Sequence, residues 1–475
     1  MPFPIRLKGV SMKISVLRMS CFSAAIIVCV LSVDREIHAQ PCPTPAAPAS
    51  WFPHSQTPEP DNNADFTSNC DFHRWEWQMF LWLTQPTGPD GMLRFETFKT
   101  FTDVFPPVVV ADGKVPKTRA TKKGSLLLKA RAVKSTDPTG LDEIAQAGSG
   151  GALVPRDQRI IYYSQYINQT FYDFVTSGDK PLNIAANYLA ASDTLNYPIG
   201  TLELKASWRI VPQGENTDGF YVRPAEVEAL MTQNGKVVVD PDPSHNLSVT
   251  VELVGLHVVG VVKDHPEFIW ATFEHANNAP DLPAGMNPMG NQPVSNKDWT
   301  FYRANTPAIA CNINNVGTLT LVNPTLQTLT PIVDAFRQFP SGGARPGDVN
   351  NVPNIQLLND SVHMQLAAGE VWRNYNLVGG VWLTPTPPLA PNTKFNPTDP
   401  NMRGSVNLSN ATMETFTQPT QNCFSCHNTA KQFQFVGSST TIIPGKNLNL
   451  SHFMVNGTFQ QMQTLERIAA KKTPK

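Results

Sequence analysis

Leu247-Ser248-Val249-Thr250-Val251-Glu252-Leu253-Val254-Gly255-Leu256-His257-Val258-Val259-Gly260-Val261-Val262-Lys263-Asp264, followed by His265-Pro266-Glu267-Phe268-Ile269-Trp270-Ala271-Thr272-Phe273-Glu274-His275, is the stretch that decides the architecture. Its first half is too long and too apolar for one exposed strand. Its β-branched and aromatic side chains suit a pleated, buried surface. A tight turn around Asp264–Glu267 makes a long hairpin that sets His257 opposite Glu274. The competing reading is a helix capped by Asp264, with Glu267 closing the box. His257 interrupts the apolar run, and a buried imidazole needs a partner that Glu274 supplies. His257, His265 and His275 read as hydrogen-bonded core and turn histidines. The functional alternative makes His257, Glu274 and His275 catalytic candidates, or uses the three histidines for a metal or a cofactor edge.

Outward from the hairpin, Arg159–Tyr163, Leu202–Ile210 and Trp372–Leu383 carry short β-branched or alternating patterns. Cys70–Trp82 places Phe72, Trp75, Met79 and Trp82 at helical spacing, the mark of a buried helix. Pro331–Arg337 carries a second helix signal, and Gly148–Gly151 reads as a turn. Lys114–Lys134 holds eight basic residues without an acid, read as a solvated face with partner docking as the alternative. The fold class is α+β: a large strand-rich domain and a short, mainly helical C-terminal segment. The divisions are 1–39, a signal peptide; 40–60, a Pro-rich extended leader; 61–400, the strand-rich domain; and 401–475, a haem-binding segment. Pro-rich Thr384–Pro400 is the linker.

Composition excludes several function classes. The 475 residues carry 37 Lys+Arg against 38 Asp+Glu, and phosphate-backbone binding needs a net basic surface or a large basic patch. An apolar fraction of 41% is too high for a disordered chain. No P-loop, nucleophile elbow or EF-hand loop is present in the sequence. Lys8, Lys13 and Arg18 precede the apolar run Met19–Val33, with Ala39 beyond it, which reads as a secretory signal. Cleavage there leaves Cys42, Cys70, Cys311, Cys423 and Cys426, and no segment long and apolar enough to cross a membrane.

Cys423-Phe424-Ser425-Cys426-His427 is a C-x-x-C-H motif, expected by chance about 0.002 times at this composition. Two thiols at that spacing add to the two vinyl groups of one porphyrin, and the adjacent imidazole reaches the iron. A redox C-x-x-C belongs near a βαβ pattern, and zinc needs a second ligand pair; neither accompanies the motif.

On these residues the segment resembles the c-type cytochromes, over roughly residues 405–475. The whole chain also looks similar to uncharacterised exported bacterial proteins with one C-terminal C-x-x-C-H. The resemblance implies one covalent haem c, with Cys423 and Cys426 as thioether attachments and His427 as proximal iron ligand. In common small cytochromes the motif lies near the domain's start. Here it lies late, so the haem segment is very small or is completed by the preceding domain. Met454, read as lying in a loop, is the leading sixth ligand, with another Met, His452 or an open position as alternatives. Met462 reads as core packing on a helix opened by a Thr458–Gln461 capping box.

These readings lead to one-electron transfer in the periplasm of a Gram-negative bacterium, or outside the cell, with a periplasmic redox partner protein. The alternatives are a haem oxidoreductase of oxidase or peroxidase type with an open distal site, and a haem-stapled ligand-binding or sensing module. The large domain docks a partner or a small molecule, and no nucleic acid. Among the remaining cysteines, Cys42, Cys70 and Cys311 permit one disulfide and one free thiol; Cys70–Cys311 would staple the buried helix to the core.

Overall fold

A computed structural model describes residues 41–44, 46–53, 66–87, 91–106, 126–128, 144–340, 343, 348–384, 389–395, 398–418, 422–436 and 439–472. The signal-peptide reading and nearly all of Lys114–Lys134 lie outside them. The long apolar run forms strand Leu247–Val262, and the chain returns as strand His265–His275. This hairpin is the centre of a nine-stranded sheet among the described residues. On one side the long strand pairs antiparallel with Leu202–Ile210, which pairs with Tyr162–Ile167, which pairs with Lys99–Thr100. On the other side its first half pairs with Val222–Val227 and its second half with the return strand. Tyr375–Leu383 and then Met402–Gly404 extend the sheet beyond the return strand. Leu126–Leu128 lies parallel to Val222–Val227. The α+β class is as the sequence implies.

Both faces of the central hairpin are covered, which is why its sequence is nearly continuous in apolar residues. Leu253, Leu256, Val258, Ile269, Ala271 and Phe273 share one core with helix Asn69–Leu83. Ser68 and Asp71 close a capping box at its start. Trp75 and Trp77 are buried there as core, while Trp82 is half-buried. Helix Asn351–Gln365 packs beside it; its Asn359 accepts from Trp77 Nε1 at 2.8 Å. Val259, Val261, Phe268, Trp270, Val378 and Val381 face the other way. They share a core with Phe424, Ile443, Leu448, Leu450, Phe453 and Met454. The C-terminal segment therefore lies on the second face of the sheet, while its Met402–Gly404 joins the sheet itself.

Several expectations are corrected. His257 lies opposite Thr272, and Glu274 lies opposite Gly255. The turn is the two-residue Lys263-Asp264, and Pro266-Glu267-Phe268 then bulges against Val261 between the pairs Gly260–Ile269 and Val262–His265. Phe268 carries the bulge at φ 70°, a left-handed backbone that an apolar sequence does not advertise. Pro331–Arg337 is extended, not helical. The N–H groups of Val333, Ala335 and Arg337 bond Val154, Phe301 and Pro280, a period of two directed at other segments. The start of the expected leader is packed rather than free. Cys42, Ala46, Ala47 and Trp51 are buried, and the Cys42 and Ala47 N–H groups bond Asn354 and Ser361. The disulfide joins Cys42 to Cys70, not Cys70 to Cys311. Cys311 is a buried free thiol in a separate cluster with Tyr302 and Phe336.

Candidate functional site

The C-x-x-C-H motif begins with a single helical turn, Cys423–Cys426. Asn422 caps it by accepting from the Ser425 N–H at 3.1 Å, and donates to Val406 O at 3.0 Å, anchoring the turn to the preceding segment. Phe424 is buried in the second-face core, Cys423 packs against that core, and both cysteines line the adjacent cleft. Cys423 is half-buried and Cys426 exposed. Burial pushes the Cys423 thiol well above its ordinary range and Cys426 upward, and the charge of nearby Glu414 adds to both. Redox-active pairs have depressed thiol pKa values, so the electrostatics argue against that reading.

His427 bonds Leu450 O through Nδ1 at 2.9 Å. A carbonyl only accepts, so Nδ1 carries the proton and Nε2 presents a lone pair. Nε2 has no hydrogen-bond partner among the described residues. Burial, reinforced by His452, holds the imidazole well below its ordinary value, so it is neutral at pH 7. The Trp270 ring lies 4.2 Å from the His427 ring, and His452 stacks on it at 3.9 Å and 27°. His452 in turn donates to Cys426 O at 3.1 Å.

Cys423, Cys426 and His427 line one half-open cleft with a volume of about 260 Å³. Trp270, Leu408 and Met413 give it apolar walls, and Lys205, His257 and Glu414 make a polar side. Gly148, Ser149 and Gly150 form its rim. They are a turn, as read from sequence, and neighbouring Gly151 is obligatory because a Cβ there would meet Phe416 at 2.1 Å. The cleft beside the C-x-x-C-H turn is therefore completed by the central strands, which supply Lys205, His257 and Trp270.

The polar side is assembled by the turn Asn410–Glu414, which lies over the sheet. Asn410 donates to Thr272 Oγ1 at 2.9 Å, and the Thr412 and Ser207 hydroxyls bond at 2.8 Å. His257 Nε2 donates to Glu414 Oε1 at 2.9 Å. Burial opposes ionisation of Glu414, but the charge and hydrogen bond of His257 hold its carboxyl below the ordinary value. Glu414 is thus the partner that the sequence assigned to Glu274. Glu274 instead binds Arg337 Nη1 at 2.7 Å and accepts from the Ala411 N–H, fixing the same turn from beneath.

The other candidate histidines lie elsewhere. His265 bonds Glu267 at the hairpin turn. His275 stacks on Phe220 at 3.6 Å and bonds Gly219 O, and burial lowers it to about 4. The three histidines of the hairpin do not converge, and no group of three or more His, Cys, Asp or Glu among the described residues is arranged to hold a bare metal ion. Met454 is not in a loop: it is buried in helix His452–Lys472 and is not among the residues lining the cleft. Thr458 lies within that helix, where its hydroxyl bonds Met454 O, so it caps nothing. His452 stacks against the His427 ring. Met413 and His257 also line the cleft and carry donor atoms; His257 was marked in the sequence by its break in the apolar run, whereas no sequence pattern marked Met413.

The residues fit a covalent haem. Two thiols outside any disulfide and one imidazole with a lone pair converge on an apolar-walled cleft, and the second ring nitrogen is held by a carbonyl, the usual support for a metal-bound histidine. No family model, curated protein or solved structure matches the chain.

Proposed function

We propose that the protein is an exported mono-haem c-type cytochrome that passes single electrons to or from a periplasmic redox partner. The observation that carries this reading is the neutral His427 imidazole, held at Nδ1 by Leu450, in the same cleft as Cys423 and Cys426. When bound, haem supplies an iron centre that changes oxidation state by one electron. Cys423 and Cys426 anchor it, His427 presents Nε2 to it, and Trp270 and His452 hold the imidazole plane from its flanks. Leu408 and Met413 exclude water, which lowers the energy of rearranging solvent when the charge changes. The disulfide Cys42–Cys70 supports export, because such bonds persist in oxidising compartments. No helix among the described residues is long and apolar enough to cross a membrane.

His257 and Glu414 favour a second reading, a haem oxidoreductase with an open distal position. A hydrogen-bonded histidine–carboxylate pair on the cleft wall can exchange protons with a small molecule bound there. Expression with the haem-attachment machinery, followed by haem staining of a denaturing gel, tests the common premise. The wild-type chain is expected to stain and Cys423→Ala/Cys426→Ala to lose the stain; unchanged staining refutes the assignment. Carbon monoxide then separates the readings. Electron transfer predicts slow or no binding to the reduced protein, and rapid, tight binding favours the oxidoreductase.

A further inference from the structure

The carbonyl that holds His427 is itself held by a carboxylate. Leu450 O accepts from His427 Nδ1, and the next residue, Ser451, donates its hydroxyl to Glu203 Oε2 at 2.6 Å. The Phe453 N–H also bonds the Glu203 carboxylate. Glu203 therefore sits at the start of the 21-residue helix His452–Lys472, where unpaired N–H groups favour negative charge.

The surroundings of Glu203 are sparse in charge. Its strand neighbours are Ile167 and Val259, both aliphatic. Tyr197, which feels its charge, bonds Leu448 O and is kept protonated by burial. Lys205, on the same strand face, directs Nζ to Gln146 O at 3.0 Å. His427 and His452, on the C-terminal segment, are both held neutral by burial. No cation pairs with Glu203 among the described residues. A carboxylate so placed costs desolvation that a serine cap alone would avoid.

We propose that Glu203 is a positioning residue for His427, acting through Ser451, and that it takes up a proton when the haem is reduced. The inference rests on the haem reading. Ionised Glu203 accepts from Ser451 and Phe453 and fixes the Leu450–Ser451 peptide, so the carbonyl stays aimed at Nδ1. A firm Nδ1–H···O bond makes the other nitrogen a stronger ligand. A one-electron donor protein reduces ferric to ferrous iron, removing one positive charge. The Glu203 carboxylate then gains a proton from water, forming the neutral acid. Burial raises Glu203 to about 7 against its hydrogen bonds, which places the exchange near neutral pH. The ionised carboxylate favours ferric iron, so the potential falls as pH rises through that value.

The test uses the full chain, haem-loaded and as the haem-free Cys423→Ala/Cys426→Ala form, with Glu203→Gln, Glu203→Ala and Ser451→Ala in each. Imidazole nitrogen NMR of the haem-free form reads the His427 tautomer. The parent and Glu203→Gln, which keeps an acceptor, are expected to hold the proton on Nδ1. Glu203→Ala and Ser451→Ala are expected to give a mixture. Between about pH 6 and about pH 8 the wild-type one-electron equilibrium should shift about tenfold, or about 59 mV, and Glu203→Gln should be flat. An unchanged tautomer in both Glu203→Ala and Ser451→Ala overturns the positioning role, and a flat wild-type potential overturns the proton uptake. Absence of covalent haem refutes the haem reading instead, while the haem-free tautomer still decides the role of Glu203.

Discussion

Arg337→Ala is expected to lower the free energy of unfolding by about 3–5 kcal/mol, measured by denaturant titration, and to reduce haem incorporation. The Arg337 side chain bonds Glu274 at 2.7 Å, Asp281 at 2.6 Å and Ala279 O at 2.8 Å. Glu274 is 1% exposed, so removing the guanidinium leaves a buried carboxylate without its counter-charge. Its other oxygen accepts from the Ala411 N–H, in the turn that carries Glu414 over the cleft. Loss of stability and loosening of the cleft therefore have one cause. Arg337→Met with Glu274→Gln should recover most of the stability, because no unpaired charge remains. A loss below about 1 kcal/mol in Arg337→Ala alone would show that the pair does not organise this region.

Cys42→Ser with Cys70→Ser should cost about 3.5 kcal/mol, the chain-entropy value for closing a loop at a sequence separation of 28. The bond ties Cys42 to helix Asn69–Leu83, and the Cys42 and Ala47 N–H groups bond Asn354 and Ser361 of helix Asn351–Gln365. Its loss frees a segment whose Trp51 is buried in the main core. Thermal unfolding with and without a reductant gives the check: the wild type should lose stability on reduction, and the double variant should be insensitive. Equal sensitivity in both would place the reductant's effect elsewhere.

The hairpin could be read from sequence because both its faces are buried, and burial writes itself as an unbroken apolar run. Its register could not. The bulge at Phe268 moves every later pair, and the left-handed backbone there belongs to a residue type that gives no warning. Glu414 was illegible as the partner of His257 because 157 residues separate them. Met454 was misplaced for a local reason. Asn456 and Gly457 have low helix propensity, yet Gly457 is needed because a Cβ there would meet Phe105 at 1.9 Å. Tertiary packing overrides propensity at that turn. That Cys423, Cys426 and His427 share one cleft was the most legible part of the candidate site, because five consecutive residues bring them together whatever the rest of the fold does.

The proposed function rests on a covalent haem carried by Cys423 and Cys426, with His427 as its ligand. Intact mass measurement of the mature protein under denaturing conditions, after expression with the attachment machinery, tests it most directly. The expected mass is that of the polypeptide plus one haem, falling to the polypeptide alone in Cys423→Ala/Cys426→Ala. A wild-type mass equal to the bare polypeptide would contradict it.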